Sequence, residues 1–399
     1  MLCRLKVSIA VFYYLLVVSP VFSQWTTVNN FAYGTDGAFS MVINGKAYLN
    51  AGLVSGNDFY SYDEGSGVWI QLADVPSLGV VRAWAFAFVV NGKGYVAGGS
   101  YETASDLEKS LWEYDPVTDA WTQKADFPGG PRDGGFAFSI GNKGYIGGGF
   151  DGQYLHDDLY EYDPGQDKWT LLPPFPGGPV IFPASFVIAG KAYVGTGDQS
   201  GVEIQQFWQY DPGVNAWTKK ADFAGAKRQT AIGFSIGNKG YFGGGMSGYT
   251  TNRKDFWEYD PQNNTWTIVA DADLADDHTA WSTGFVIGNN AYFGLGVKFP
   301  EFTYSNKFYK RTFSGPNALT NLSSKGLIVY PNPAKESVTI RSEACVILKI
   351  TLNDTKGLTL NIWEGEHQEI STAGVLPGVY FLNVQTSSGM IREKLIVSE

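Results

Sequence analysis

A tyrosine returns along this chain at Tyr48, Tyr95, Tyr145, Tyr193, Tyr241 and Tyr292, at intervals of 47 to 51 residues. Trp25, Trp69, Trp121, Trp169, Trp217 and Trp266 keep the same rhythm in a different phase. Periods of about 20–50 residues mark a supersecondary unit that cannot bury its apolar face alone and must stack on copies of itself. This restricts the fold to repeat architectures. The phase difference between the two series bears on how the array closes.

The unit over residues 136–178 opens with the apolar run Phe136 to Ile140 and a Gly141-Asn142 turn. Lys143-Gly144-Tyr145-Ile146 and a glycine run follow, then a polar loop, Leu159-Tyr160-Glu161-Tyr162, Asp163-Pro164 and Trp169-Thr170-Leu171-Leu172. Four short β-rich runs separated by turn residues read as an antiparallel meander. The other units repeat its landmarks. A glycine pair follows the tyrosine at Gly98-Gly99, Gly147-Gly148 and Gly243-Gly244 and is relaxed elsewhere. A second tyrosine precedes tryptophan by seven residues at Tyr62/Trp69, Tyr114/Trp121, Tyr162/Trp169, Tyr210/Trp217 and Tyr259/Trp266. Glycine lets backbones approach closely, Asp-Pro sets a turn, and tryptophan is a large apolar plug for the gap between neighbouring sheets.

Gly-Lys-x-Tyr, Gly-Gly, Trp-x-Tyr-Asp-Pro and the following tryptophan together resemble the kelch repeat over about residues 25–313. The resemblance implies an all-β fold, a kelch-type β-propeller. Six tyrosine landmarks predict six blades. The sixth unit, around Lys307-Phe308-Tyr309, lacks its tryptophan, and Trp25 lies ahead of the first unit. The strand at Trp25-Thr26-Thr27 is therefore expected to complete the last blade and close the ring, leaving no open edge.

Met1-Leu2-Cys3-Arg4-Leu5-Lys6, an apolar run from Val7 to Val18, and small residues before Ser23 read as a signal peptide over residues 1–23. The expected domains are the propeller at 24–314, a polar linker at 315–325 and a small C-terminal β-sandwich at 326–399. In the last segment the period vanishes and six or seven short strand-like runs follow. Tyr330-Pro331-Asn332-Pro333, Leu376-Pro377-Gly378-Val379-Tyr380 and Lys394-Leu395-Ile396-Val397 resemble the C-terminal sorting domain of the type IX secretion system. That resemblance implies a Bacteroidota-type cell, recognition by the type IX machinery, and release or attachment at the outer surface.

Loss of Arg4 and Lys6 with the signal would take the net charge from −10 to −12. An acidic chain speaks against nucleic acid and anionic lipid as partners, and no transmembrane segment is expected after cleavage. Cys345 would then be the single cysteine, so no internal disulfide is expected.

Kelch propellers include galactose oxidase-like copper enzymes, which the resemblance allows as an activity. The propeller has no cysteine, and its histidines are His156 and His278. A copper-radical oxidase is rejected, and no metal or other cofactor is expected. No serine-nucleophile elbow or phosphate-cradling loop is present. His278 and Asp277, in Asp276-Asp277-His278, are the acid–base candidates; Asp158 aligns with Asp58 and Asp255 and reads as part of the repeat.

Alignment on Lys46, Lys93, Lys143, Lys191, Lys239 and Asn290 places Thr35, Arg82, Arg132, Val180, Arg228 and Thr279 at one register position. Gly37, Trp84, Gly134, Phe182, Thr230 and Trp281 occupy another, two residues on. Both lie at the entry to the innermost strand, at the channel mouth. The expectation is that Arg82, Arg132 and Arg228, with Trp84, Phe182 and Trp281, form the ligand surface and favour carboxylates. The alternative role for the arginines is structural, bonding loop carbonyls.

Three functions follow. The favoured one is a non-catalytic, exported binding protein for glycan or extracellular protein. The second is a sugar-modifying enzyme resembling the kelch-type sialic acid mutarotases, which a buried His278 facing the arginines would support. The third is a structural surface or adhesion component, which a mouth plugged by side chains would support.

Overall fold

The computed structural model describes residues 25–77, 81–100, 106–270, 274, 276–313, 327–330, 334–342, 347–354, 358–365, 369–386 and 389–397. The segments read as signal peptide and linker lie outside these residues.

The turn chemistry of each unit cuts the chain into short strands that pair antiparallel with their sequence neighbours, giving six four-stranded sheets over residues 26–312. Blade 1 runs outward from Ser40–Ile43 to Val68–Leu72, blade 2 from Phe86–Val90 to Ala120–Lys124, and blade 3 from Phe136–Ile140 to Lys168–Leu172. Blade 4 runs from Ala184–Ile188 to Ala216–Lys219 and blade 5 from Ile232–Ile236 to Thr265–Ile268. Blade 6 has Thr283–Ile287 innermost, and its outer strand is Thr26–Val28, paired with Phe308–Thr312 in the register Thr26↔Lys310, Thr27↔Tyr309, Val28↔Phe308. Each innermost strand packs on the next, and that of blade 6 packs on that of blade 1, so the sheets form a closed ring.

Alternation along each strand explains the cohesion. Inner strands show one buried residue in two, while second strands are buried almost throughout. The landmark tryptophans staple neighbouring blades. Trp121, Trp169, Trp217 and Trp266 each donate their indole N–H to a carbonyl of the preceding blade (Ala73, Ala125, Pro173 and Ala221) at 2.9–3.2 Å. Trp25 packs against Phe256 and Phe293 with centroids at 5.0 and 6.2 Å, filling the gap between blades 5 and 6.

The C-terminal strands form two sheets around one core. Leu327–Tyr330, Ser337–Ser342 and Glu369–Ser371 make the first; Thr359–Glu364, Ile347–Asn353, Gly378–Thr386 and Gly389–Val397 make the second. Val338, Ile340 and Ile370 from one sheet share a buried cluster with Ile350, Leu352, Leu382 and Leu395 from the other. The sequence reading had no strand at Glu369–Ser371. Two of the quoted sorting motifs are hairpin partners, with Gly378↔Val397 and Tyr380↔Leu395 in register. Ala334, just after the third motif, bridges Val397.

Candidate functional site

The arginine position is built differently from the expectation. Arg82, Arg132 and Arg228 are 0%, 1% and 0% exposed. Each turns its guanidinium back into its own blade, where Nη1 reaches the same glycine carbonyl: Gly98 at 3.0 Å, Gly148 at 3.3 Å and Gly244 at 3.1 Å. Arg132 also meets Asp158 at 2.7 Å and Arg228 meets Asp255 at 2.8 Å, while Arg82 pairs with Glu108 at 3.7 Å. Burial pushes the Arg82 pKa down to about 10, against the pull of Glu108 and Asp126, so it remains charged at neutral pH. The predicted ligand-binding role of these three arginines is therefore corrected. They clamp the loops of blades 2, 3 and 5, because a buried guanidinium takes its partners from the groups around it, although Arg132 Nε has none among the described residues.

The neighbouring register position does converge. All six residues there adopt left-handed backbone: Gly37, Trp84, Gly134, Phe182, Thr230 and Trp281 have φ between 49° and 65°. Their backbones join into a belt, with N–H of Gly37 donating to Trp281 O, Trp84 to Gly37, Gly134 to Trp84, Phe182 to Gly134 and Thr230 to Phe182. Small and aromatic residues alternate around the belt for a steric reason. A Cβ on Gly37 would stand 2.9 Å from Trp84 Nε1, and one on Gly134 would stand 2.8 Å from Phe182 Cε1. The three aromatic rings meet edge to face at the axis, with centroids 6.1–6.3 Å apart. They gather at the mouth and line an open cavity of about 150 Å³ together with Gly37, Gly134 and Thr230. A second cavity, of about 280 Å³, shares Ala85 and Gly135 with it and is lined by Ser40, Ser185 and Thr283.

The loops between second and third strands rise at the same end, since Ala83 bridges Ser100, Gln229 bridges Met246 and Ala280 bridges Val297. In blades 5 and 6 they are small hairpins, Met246–Ser247 with Thr251–Asn252 and Val297–Lys298 with Thr303–Tyr304. Each carries an exposed aromatic in left-handed backbone: Tyr249 (φ 53°, 49% exposed) and Phe302 (φ 52°, 63% exposed). Such backbone is costly for non-glycine residues and persists only where the surroundings impose it. Asn252 ties the two hairpins together, donating to Val297 O and accepting from Phe299 N–H, both at 2.8 Å. Phe302 packs on Phe299 at 4.7 Å and Phe299 on Trp281 at 5.4 Å, so an aromatic row runs from the axis to the rim. Sequence reasoning missed Tyr249, Phe299 and Phe302. They lie off the repeat period, in loops that carry no repeated landmark.

The acid–base candidates separate. His278 Nδ1 bonds Asp276, and its Nε2 lies 3.0 Å from Thr303 Oγ1. Asp276 also accepts from Tyr309 OH at 3.0 Å and faces Lys307 at 3.7 Å. Burial raises the Asp276 pKa, but the bonds from His278 and Tyr309 outweigh it and hold the carboxyl down at about 2. Blade 6 has Thr279 where blades 2, 3 and 5 have arginine, and Lys307 where blades 3 and 5 have Asp158 and Asp255. Asp276 thus supplies the opposite half of an inverted pair. Asp277 is turned to Lys254 at 3.1 Å and Lys298 at 3.7 Å. His156 pairs with Asp151 at 2.9 Å. His278 therefore does not face the arginines. Among the described residues no group of three or more metal-ligating side chains is assembled.

Two carboxyls lie beside the belt. Asp36 and Asp133, each preceding a belt glycine, are buried, and burial raises their pKa to about 7 and about 6.

Comparison with known proteins fits this geometry. The Kelch motif matches residues 86–128 and 132–176. The secretion system C-terminal sorting domain matches residues 328–398. No curated protein matches the chain. Among solved structures, that titled "Structure of YjhT" is similar with a TM-score of 0.60 at 15% identity, covering 79% of this chain and 99% of that one. At that identity the likeness speaks for the fold alone. Among the described residues no helix is long and apolar enough to cross a membrane. With its repeats, its ring of sheets and its C-terminal motifs, the chain is a kelch-type β-propeller protein with a type IX sorting domain, exported to be secreted or attached to the cell surface.

Proposed function

We propose that the protein is an exported, non-catalytic binding protein whose mouth face holds glycan. The observation that carries this reading is the aromatic row Trp84–Trp281–Phe299–Phe302, in which Phe299 is buried and braces the others, flanked by the exposed Tyr249, Tyr304 and Tyr33. Aromatic faces suit the C–H faces of sugar rings, and rigid aromatics lose little entropy on binding. The rim is already held by hydrogen bonds between hairpins, which lowers the ordering cost of binding. Gly248 N–H also bonds Glu203 at 2.7 Å, tying blade 5 to blade 4.

The mutarotase-like reading receives no such support, because His278 and Asp277 are engaged in local pairs. The structural or adhesive reading has one observation in its favour, the three aromatic rings gathered at the axis. A glycan array probed with the mature chain separates the two. Binding that falls when Tyr249 and Phe302 are both replaced by alanine supports the glycan reading; absence of any glycan bound favours the structural one.

A further inference from the structure

Resting on the glycan reading, we propose that the axial cavity selects one uncharged, oxygen-rich terminal sugar ring and discriminates against acidic sugars. Four observations converge on this.

The residues lining the cavity include no charged side chain. With the arginines turned into their own blades, a carboxylate entering here would lose its hydration without gaining a cation. The nearest titratable neighbours along the chain, Asp36 and Asp133, adjoin the lining residues Gly37 and Gly134 and are themselves buried; as acids they offer an anion no countercharge.

Three lining residues carry donors with no partner among the described residues: Trp84 Nε1, Trp281 Nε1 and Thr230 Oγ1. Thr230 is 7% exposed. Buried polar groups are nearly always bonded, and each exception asks for an explanation. Sugar hydroxyl and ring oxygens are acceptors of the right kind. The rings of Trp84, Phe182 and Trp281 supply the apolar surface against which a sugar face stacks. The cavity, at about 150 Å³, admits one compact unit and excludes a chain passing through the ring. The rest of a longer glycan would lie outward along Phe299 and Phe302.

The test is a glycan array in which each terminal hexose appears in neutral and uronic acid form, probed with the mature full-length chain. Hits are then titrated calorimetrically against Thr230→Val and Trp84→Phe. Thr230→Val removes an unpartnered donor and keeps the shape, so its fold should hold and its melting temperature should not fall; Trp84→Phe keeps an aromatic ring but loses part of the indole packing, so its affinity is compared at equal folded fraction. The expected result is neutral-terminated binding, at least about tenfold weaker for the uronic partner and about tenfold weaker in either variant. Equal or tighter binding of the acidic forms overturns the proposal. So does unchanged affinity in both variants while Tyr249→Ala and Phe302→Ala abolish binding; in that case the glycan reading stands and the axial site falls. An array without any hit removes both.

Discussion

Replacing Arg228 by alanine tests the reassignment of the arginines. Its guanidinium donates to Ala226 O at 3.1 Å, Gly244 O at 3.1 Å and Asp255 Oδ2 at 2.8 Å, and it lies over the Phe223 ring at 5.0 Å. Alanine removes all of these and leaves the part-buried Asp255 carboxylate facing orphaned carbonyls. Breaking a buried pair from one side typically costs about 3–5 kcal/mol. Trp257 Nε1 still donates to Asp255 at 2.6 Å, which places the expectation at the lower end. The double substitution Arg228→Leu with Asp255→Leu should recover part of the loss, because apolar replacement of both partners is far less costly. Urea denaturation followed by circular dichroism measures both, and ligand affinity should follow only the folded fraction. A loss below about 1 kcal/mol, or a selective loss of binding at full stability, would refute the structural role.

Three further outcomes are expected. Deleting residues 25–30 removes the outer strand of blade 6 with Trp25 and should lower the melting temperature of the whole ring strongly, since the pairing with Phe308–Thr312 and the packing of the part-buried Trp25 on Phe256 and Phe293 are lost together; an unchanged melting temperature would contradict closure by this strand. Truncation after Gly315 should leave folded propeller in the periplasm, and its normal appearance outside the cell would defeat the sorting role of residues 328–398. Asp36 has its pKa raised by burial from 3.8 to about 7, so the fold prefers the neutral acid and stability is lost as pH rises from about 4 to 7. The loss is at most about 4 kcal/mol. Asp36→Asn should flatten that dependence and melt higher than the parent at alkaline pH; superimposable pH profiles would show that the carboxyl is hydrated.

Much of the fold was legible because repetition makes each landmark testable against five copies. The phase of Trp25 revealed the closing strand, and the spacing of the tyrosine and tryptophan pairs marked the outer strands. The register also brought Trp84, Phe182 and Trp281 together correctly. It gave the place of Arg82, Arg132 and Arg228 but not their direction. A register position leaves open whether a long side chain turns to the axis or back into its blade. The decisive partners lay elsewhere: one glycine carbonyl and an acid before the third strand, of which Asp158 and Asp255 had been recognised only as part of the repeat. The hairpin aromatics Tyr249 and Phe302 escaped because their position depends on loop conformation, which has no periodic signal.

The mouth face is proposed to bind glycan through its aromatic row. The most direct test is calorimetric titration of the mature chain, and of its Tyr249→Ala/Phe302→Ala variant, with the best-bound array glycan. Both positions are exposed tips, so the variant should fold as the parent does. The expected result is saturable binding by the parent and a loss of about tenfold or more in the variant. Equal affinity in both proteins at equal melting temperature would contradict it.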